Sequence, residues 1–161
     1  MAIAIGAPAP TFSLPGRDGG SRTLEDLGTP ALLAFFKMSC PTCQLAFPVF
    51  GEIERRFHGS AAVVAVAQDP MLQAQQWLTE LGFEGEVLND SYGRYEVSRA
   101  YDIQTVPTLV LVGPSGDVDL VTEGWSRHAV NLVAERIGEL TGGLTDPVSD
   151  PEDGLPHYKP G

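Results

Sequence analysis

The chain has 161 residues, with 21 Asp and Glu against 10 Lys and Arg, a formal net charge of −11. That length suits one domain with its own core, and that charge excludes a surface for nucleic-acid phosphates or anionic lipid. No stretch approaches the roughly 18 apolar residues of a membrane span, so neither nucleic acid nor membrane is expected as a partner.

The N-terminus, Met1-Ala2-Ile3-Ala4-Ile5-Gly6, has no basic n-region and no long apolar core, so no signal peptide is expected and the cytoplasm is the default compartment. Residues 6–30 carry Gly6-Ala7-Pro8-Ala9-Pro10, then Phe12 and Leu14, then the turn-rich Pro15-Gly16-Arg17-Asp18-Gly19-Gly20. Two short strands joined by a loop are predicted there, followed by one helical turn over Thr23–Leu27 that ends at Gly28. Ala31-Leu32-Leu33-Ala34-Phe35-Phe36 is apolar throughout, the pattern of a central parallel strand covered on both faces. A short turn leads into Cys40-Pro41-Thr42-Cys43, and apolar residues continue at Ala46, Phe47, Val49, Phe50, Ile53 and Phe57 with helical spacing. The reading is strand, turn, helix, with Cys40 at the helix N-terminus and Cys43 one turn inside.

Residues 61–67 form a second apolar run, read as a buried strand, and Gln68-Asp69-Pro70 opens a helix from about Met71 to Leu81 that Gly82 ends. Glu86-Val87-Leu88 reads as a short extended piece and Ser91–Tyr101 as another helix. Thr105-Val106-Pro107-Thr108 opens a strand to Val112, and Gly113-Pro114-Ser115-Gly116 turns it back as Val118–Val121, making a hairpin. A proline belongs at the first position of such a strand, with a cis bond as the usual reason. After Gly124 a last helix runs from Ser126 to Thr141. Residues 1–141 then form the domain, and 142–161 a polar, proline-rich tail that is mobile or hugs the surface. A functional tail would instead dock Leu155 and Tyr158 on the domain or on a second subunit.

Cys40 and Cys43 are the only cysteines. A helix N-terminus offers unpaired N–H groups and a positive dipole end, both of which favour a thiolate. A free thiol ionises near pH 8.5, and such sites lower this to about 3.5–7.5. Cys40 is therefore expected to be the exposed nucleophile and Cys43 the thiol that resolves the mixed disulfide. Structural zinc would need two more ligands, and His58, His128 and His157 stand apart from one another. No metal and no organic cofactor are expected. Two inert buried cysteines are the bland alternative.

This layout resembles the thioredoxin fold: a strand, Cys-x-x-Cys opening a helix, Pro48 within that helix, Val106-Pro107-Thr108 opening a later strand, a hairpin, Gly124 and a final helix. The N-terminal segment and the extra strand-helix unit at 61–90 resemble the redoxin branch, which holds the alkyl hydroperoxide reductase/thiol-specific antioxidant proteins and the cytochrome-maturation thiol-disulfide oxidoreductases. The resemblance covers residues 6–141. It implies an α/β domain with a central mixed sheet flanked by helices. Cys40, Cys43 and Pro107 match the motif one by one. Three features depart from thioredoxin itself. The buried aspartate six residues before the first cysteine is Ala34, the tryptophan before that cysteine is Ser39, and the intervening dipeptide is Pro41-Thr42. The first departure predicts slower activation of Cys43.

The expected activity is thiol-disulfide exchange with protein disulfides or dithiols, with an upstream redox donor or acceptor completing the cycle. Val106, beside Pro107, is expected to pair with an extended partner segment, with Pro41, Thr42, Gly124 and Trp125 as further contacts. Lys37 is a candidate for tuning Cys40 by its charge. Gln68 or Asp69 is a candidate for replacing the missing acid, although Asp69 would more ordinarily cap the next helix. A peroxiredoxin-type peroxidase is the nearest rival, but its threonine three residues before the reactive cysteine is here Lys37. A non-catalytic binding module using the acidic face or the tail is the other alternative.

Overall fold

The computed structural model describes all residues, 1–161. Near the N-terminus β1 (Ser13–Pro15) and β2 (Ser21–Thr23) form a small antiparallel ladder. The single turn α1 (Leu24–Leu27) follows, with Thr23 as its N-cap in a reciprocal capping box with Asp26 and Gly28 at its end. Then come β3 (Ala31–Phe36), α2 (Pro41–Phe57), β4 (Ala62–Ala67), α3 (Met71–Glu80), β5 (Glu86–Asn89) and the short α4 (Glu96–Ala100). The chain closes with β6 (Thr108–Val112), β7 (Val118–Glu123), β8 (Trp125–Ser126), α5 (Arg127–Thr141) and β9 (Tyr158–Lys159).

The main sheet has the order β5-β4-β3-β6-β7. The strand β3 is central as expected, but it is parallel to β4 on one flank and antiparallel to β6 on the other. All six of its residues are fully buried, because successive side chains point to opposite faces and both faces are covered. Leu32, Ala34 and Phe36 join a 25-residue cluster that includes Phe47, Leu78 and Val133 from α2, α3 and α5. Ala31, Leu33 and Phe35 join a 15-residue cluster with Phe12, Leu14, Leu24 and Tyr101. The helix α2 continues through Pro48, which sits on the exposed side. Two peptide bonds are cis, Val106–Pro107 and the unanticipated Thr29–Pro30.

The helix expected over 91–101 shrinks to the five residues of α4. Gly93, Arg94 and Tyr95 take positive φ of 65°, 65° and 60°, a handedness that an L-residue helix does not propagate. The buried Asp90 spans this turn, accepting hydrogen bonds from Val97 N–H at 3.1 Å and from Ser98 N–H and Oγ, both at 2.7 Å. Asp90→Ala would leave these donors buried without a partner, at about 1–3 kcal/mol. A fall in the melting midpoint of roughly 2–12 °C is expected for a domain of this size. Calorimetry checks it, and an unchanged midpoint would show that water replaces the carboxylate.

Residues 142–161 are tied down. Asn131 donates to Ser149 O at 2.7 Å and accepts from Val148 and Ser149 N–H at 2.9 and 3.0 Å. Arg127 donates to Leu155 O at 2.6 Å and to Asp153 at 3.1 Å. The strand β9 then pairs antiparallel with β8. Of the two tail residues considered for docking, Leu155 packs half-buried against the larger cluster, while Tyr158 is 60% exposed.

Candidate active site

The buried strand β3 delivers the chain to a three-residue turn, Lys37–Ser39, and Cys40 then serves as the N-cap of α2. Pro41 occupies the first helical position, where its missing N–H leaves nothing unpaired. The Cys40 sulfur performs the capping role that a serine oxygen usually does, accepting the Cys43 N–H at 3.1 Å. Its thiol donates to the Val106 carbonyl at 3.3 Å. Cys40 is therefore held between the N-terminus of α2 and the loop entering β6. Both thiols are free.

The two cysteines differ in surroundings. Cys40 is half-buried at a surface cleft of about 300 Å³, whereas Cys43 is fully buried in the larger cluster. Burial pushes the Cys43 thiol far above its ordinary range; the side-chain bond with Cys40 and electrostatic repulsion between a Cys43 thiolate and its neighbours Cys40 and Asp69 act the same way. A backbone bond from Lys37 works in the opposite sense and loses.

The cleft brings Cys40 together with Lys37, Pro41, Gln68 and Val106. Gln68 also donates to Ser98 Oγ at 2.9 Å, and that hydroxyl donates to Asp90, so the cleft is wired to the buried carboxylate. Asp69 does not cap α3, whose N-cap Pro70 makes no side-chain bond. Its carboxylate accepts the Met38 N–H at 2.8 Å and so braces the turn that carries Cys40. Pro107 is buried behind Val106. Sequence reasoning missed Ile103, Gln104 and Thr105, which line the cleft with Gly161. Their adjacency to Val106-Pro107 was the available signal for the first three.

The other residues expected to meet a partner meet the tail instead. Thr42 Oγ1 donates to Pro160 O at 2.7 Å, and the indole N–H of Trp125 donates to Pro156 O at 2.7 Å. Trp125 is only 1% exposed, packed in the larger cluster with the tail over its indole N–H. Gly124, at φ 72°, lies against the tail backbone: a Cβ added there would stand 3.0 Å from Lys159 O.

Residues 5–121 match the AhpC/TSA family. The chain belongs to this family. As an AhpC/TSA-family protein it is similar to the thiol-disulfide oxidoreductase ResA of Bacillus subtilis (strain 168), at 29% identity over 148 residues, covering 87% of this chain and 80% of ResA. It is also similar to the methylamine utilization protein MauD of Methylorubrum extorquens, at 30% identity over 115 residues, covering 70% of this chain and 54% of MauD. Among solved structures, a candidate thiol:disulfide interchange protein DsbE from Chlorobium tepidum superposes with a TM-score of 0.76 at 27% identity, covering 87% of this chain and 99% of that one. The fold of this family member is thioredoxin-like, with the central mixed sheet flanked by helices.

Proposed function

We propose that the protein is a thiol-disulfide oxidoreductase that acts on protein disulfides through a Cys40–Cys43 dithiol/disulfide cycle. The observation that carries this reading is the asymmetry of the pair: one sulfur at a cleft on a helix N-terminus, the other one turn inside and dry. The ResA relative, a thiol-disulfide oxidoreductase by name, supports the class.

In the reducing direction the Cys40 thiolate attacks one sulfur of the partner's disulfide. A Cys40–partner bond forms as the partner's own S–S bond breaks, and the departing sulfur leaves as a thiolate and takes up a proton. Cys43 then loses its proton and attacks the Cys40 sulfur. A Cys40–Cys43 bond forms, the partner's second sulfur leaves, and two electrons have passed to the partner. An external dithiol restores the starting state, and the reverse sequence oxidises a partner. Val106 stands beside the reacting sulfur, with Lys37 and Gln68 on the rim.

The reduced protein is expected to turn over insulin disulfides with dithiothreitol as electron source, and to consume hydrogen peroxide no faster than dithiothreitol alone. The opposite pattern would replace this reading with a peroxidase. The step made by Cys43 is expected to quicken from pH 7 to 9. Its raised pKa keeps it almost wholly protonated across that window, so its thiolate fraction, the attacking species, grows about tenfold per pH unit. Rapid quenching of the mixed disulfide reads this rate. A resolving rate that is flat over the window would assign the step to an outside thiol.

A further inference from the structure

We propose that residues 155–161 form an intramolecular strap over the partner-binding groove, and that an extended segment of the disulfide partner enters by displacing it. The proposal rests on the oxidoreductase reading and adds a regulation of that same site.

The strap follows the whole edge of the site. Its Pro156 carbonyl takes the Trp125 indole N–H and its His157 carbonyl takes the Arg127 N–H at 3.0 Å. The strand β9 then pairs with β8, and the Pro160 carbonyl takes the Thr42 hydroxyl from between the two cysteines. At its end Gly161 shares the cleft with Cys40, so close to Val106 O and Thr105 Oγ1 that a Cβ would run into both. Residues expected from the sequence to contact a partner, Thr42, Val106, Gly124 and Trp125, are thus all met by one stretch of the chain's own backbone.

The mode of holding identifies what the groove takes. Pro156, His157, Tyr158 and Pro160 keep their side chains exposed, and the bonds come from main-chain carbonyls. This is strand addition, which reads a backbone far more than side chains. When the strap leaves, the Trp125 N–H and the Thr42 hydroxyl lose their acceptors and are free to take carbonyls of an entering backbone. The fitting partner is therefore an extended peptide around a cystine that presents two carbonyls four residues apart, as Pro156 and Pro160 do. A segment tethered this way competes at an effective concentration of about millimolar. A strap closed nine-tenths of the time lowers the apparent reactivity of the site by about tenfold.

The test compares three proteins: the full chain, a chain ending at Gly154, and full-length Leu155→Asp, which charges the strap's apolar foothold while deleting nothing. Circular dichroism melts establish which are folded. Reduced Cys40 is expected to react with iodoacetamide about tenfold faster in both variants, and insulin reduction to rise in parallel. A synthetic Leu-Pro-His-Tyr-Lys-Pro-Gly peptide at millimolar concentration is expected to slow the truncated chain again. Unchanged alkylation and insulin reduction in a folded variant overturn the proposal, and Leu155→Asp decides alone if the truncation does not fold. Faster alkylation with no insulin reduction in any of the three would keep the strap and discard the oxidoreductase reading.

Discussion

Cys43→Ser is expected to turn the protein from an exchanger into a trap. The first attack needs only the Cys40 sulfur, which reaches the cleft, so a partner is still captured as a mixed disulfide. Release needs a second thiol, and a serine hydroxyl at position 43 cannot supply it. Cys43 is the only other cysteine of the chain, so with serine in its place the chain has no thiol left to attack the Cys40–partner bond. The replacement is nearly isosteric, and its hydroxyl costs about 1–3 kcal/mol if it finds no partner, which leaves a folded protein. Non-reducing electrophoresis should show a new species that dithiothreitol dissolves, and peptide mapping should join the partner to Cys40. Cys40→Ser should give neither the adduct nor exchange. If Cys43→Ser turned over like the parent, the dithiol cycle would be wrong. If partner binding survived Cys40→Ser with no redox activity in the parent, the chain would be a binding module.

The second large effect is on stability. Phe47 lies four residues after Cys43 on the same face of α2 and meets Phe36 at 4.8 Å, Phe50 at 5.0 Å, Phe83 at 5.5 Å and Trp77 at 5.7 Å between ring centroids. Phe47→Ala is expected to cost about 3–5 kcal/mol, the transfer term plus the void left behind. Against a total stability of about 5–15 kcal/mol this is a large share. For this chain length it lowers the melting midpoint by roughly 6–20 °C. Scanning calorimetry checks it. A loss below about 1 kcal/mol would mean that Trp77 and Phe83 close the gap. The redox site should suffer too, since Phe36 ends the strand that presents the Lys37–Ser39 turn.

The neighbourhood of Cys40 is legible in the sequence because independent signals coincide there. An unbroken apolar run, a proline at the first helical position and helical apolar spacing all point to one geometry. The cis Val106–Pro107 bond is similarly legible, since a proline opening an apolar strand has few places to go. The mixed pairing of β3 is legible only through the family resemblance, because burial on both faces erases the alternation that separates strand environments. The expected helix at 91–101 fails at Gly93-Arg94-Tyr95, where apolar spacing says nothing of a left-handed backbone. Trp125 beside Gly124 reads as a partner contact or as core. It packs in the larger cluster and the tail closes over it, with the Pro156 carbonyl thirty-one positions away taking the indole N–H, a contact that leaves no pattern in side chains. The course of residues 155–161 is hidden for the same reason, since carbonyls hold it.

The dryness of β3 bears on how such a protein can diversify. A strand with no wet side chain has no adjustable knob: a carboxylate at Ala34 would arrive in the same apolar cluster as Cys43 and pay the full cost of an unmatched charge. The carboxylate whose charge does act on the dithiol, Asp69, stands off this strand, and the polar residues of the cleft, Lys37, Gln68 and Gln104, likewise lie at the margin. There a changed charge unsettles little of the frame, so redox character and stability can drift almost independently.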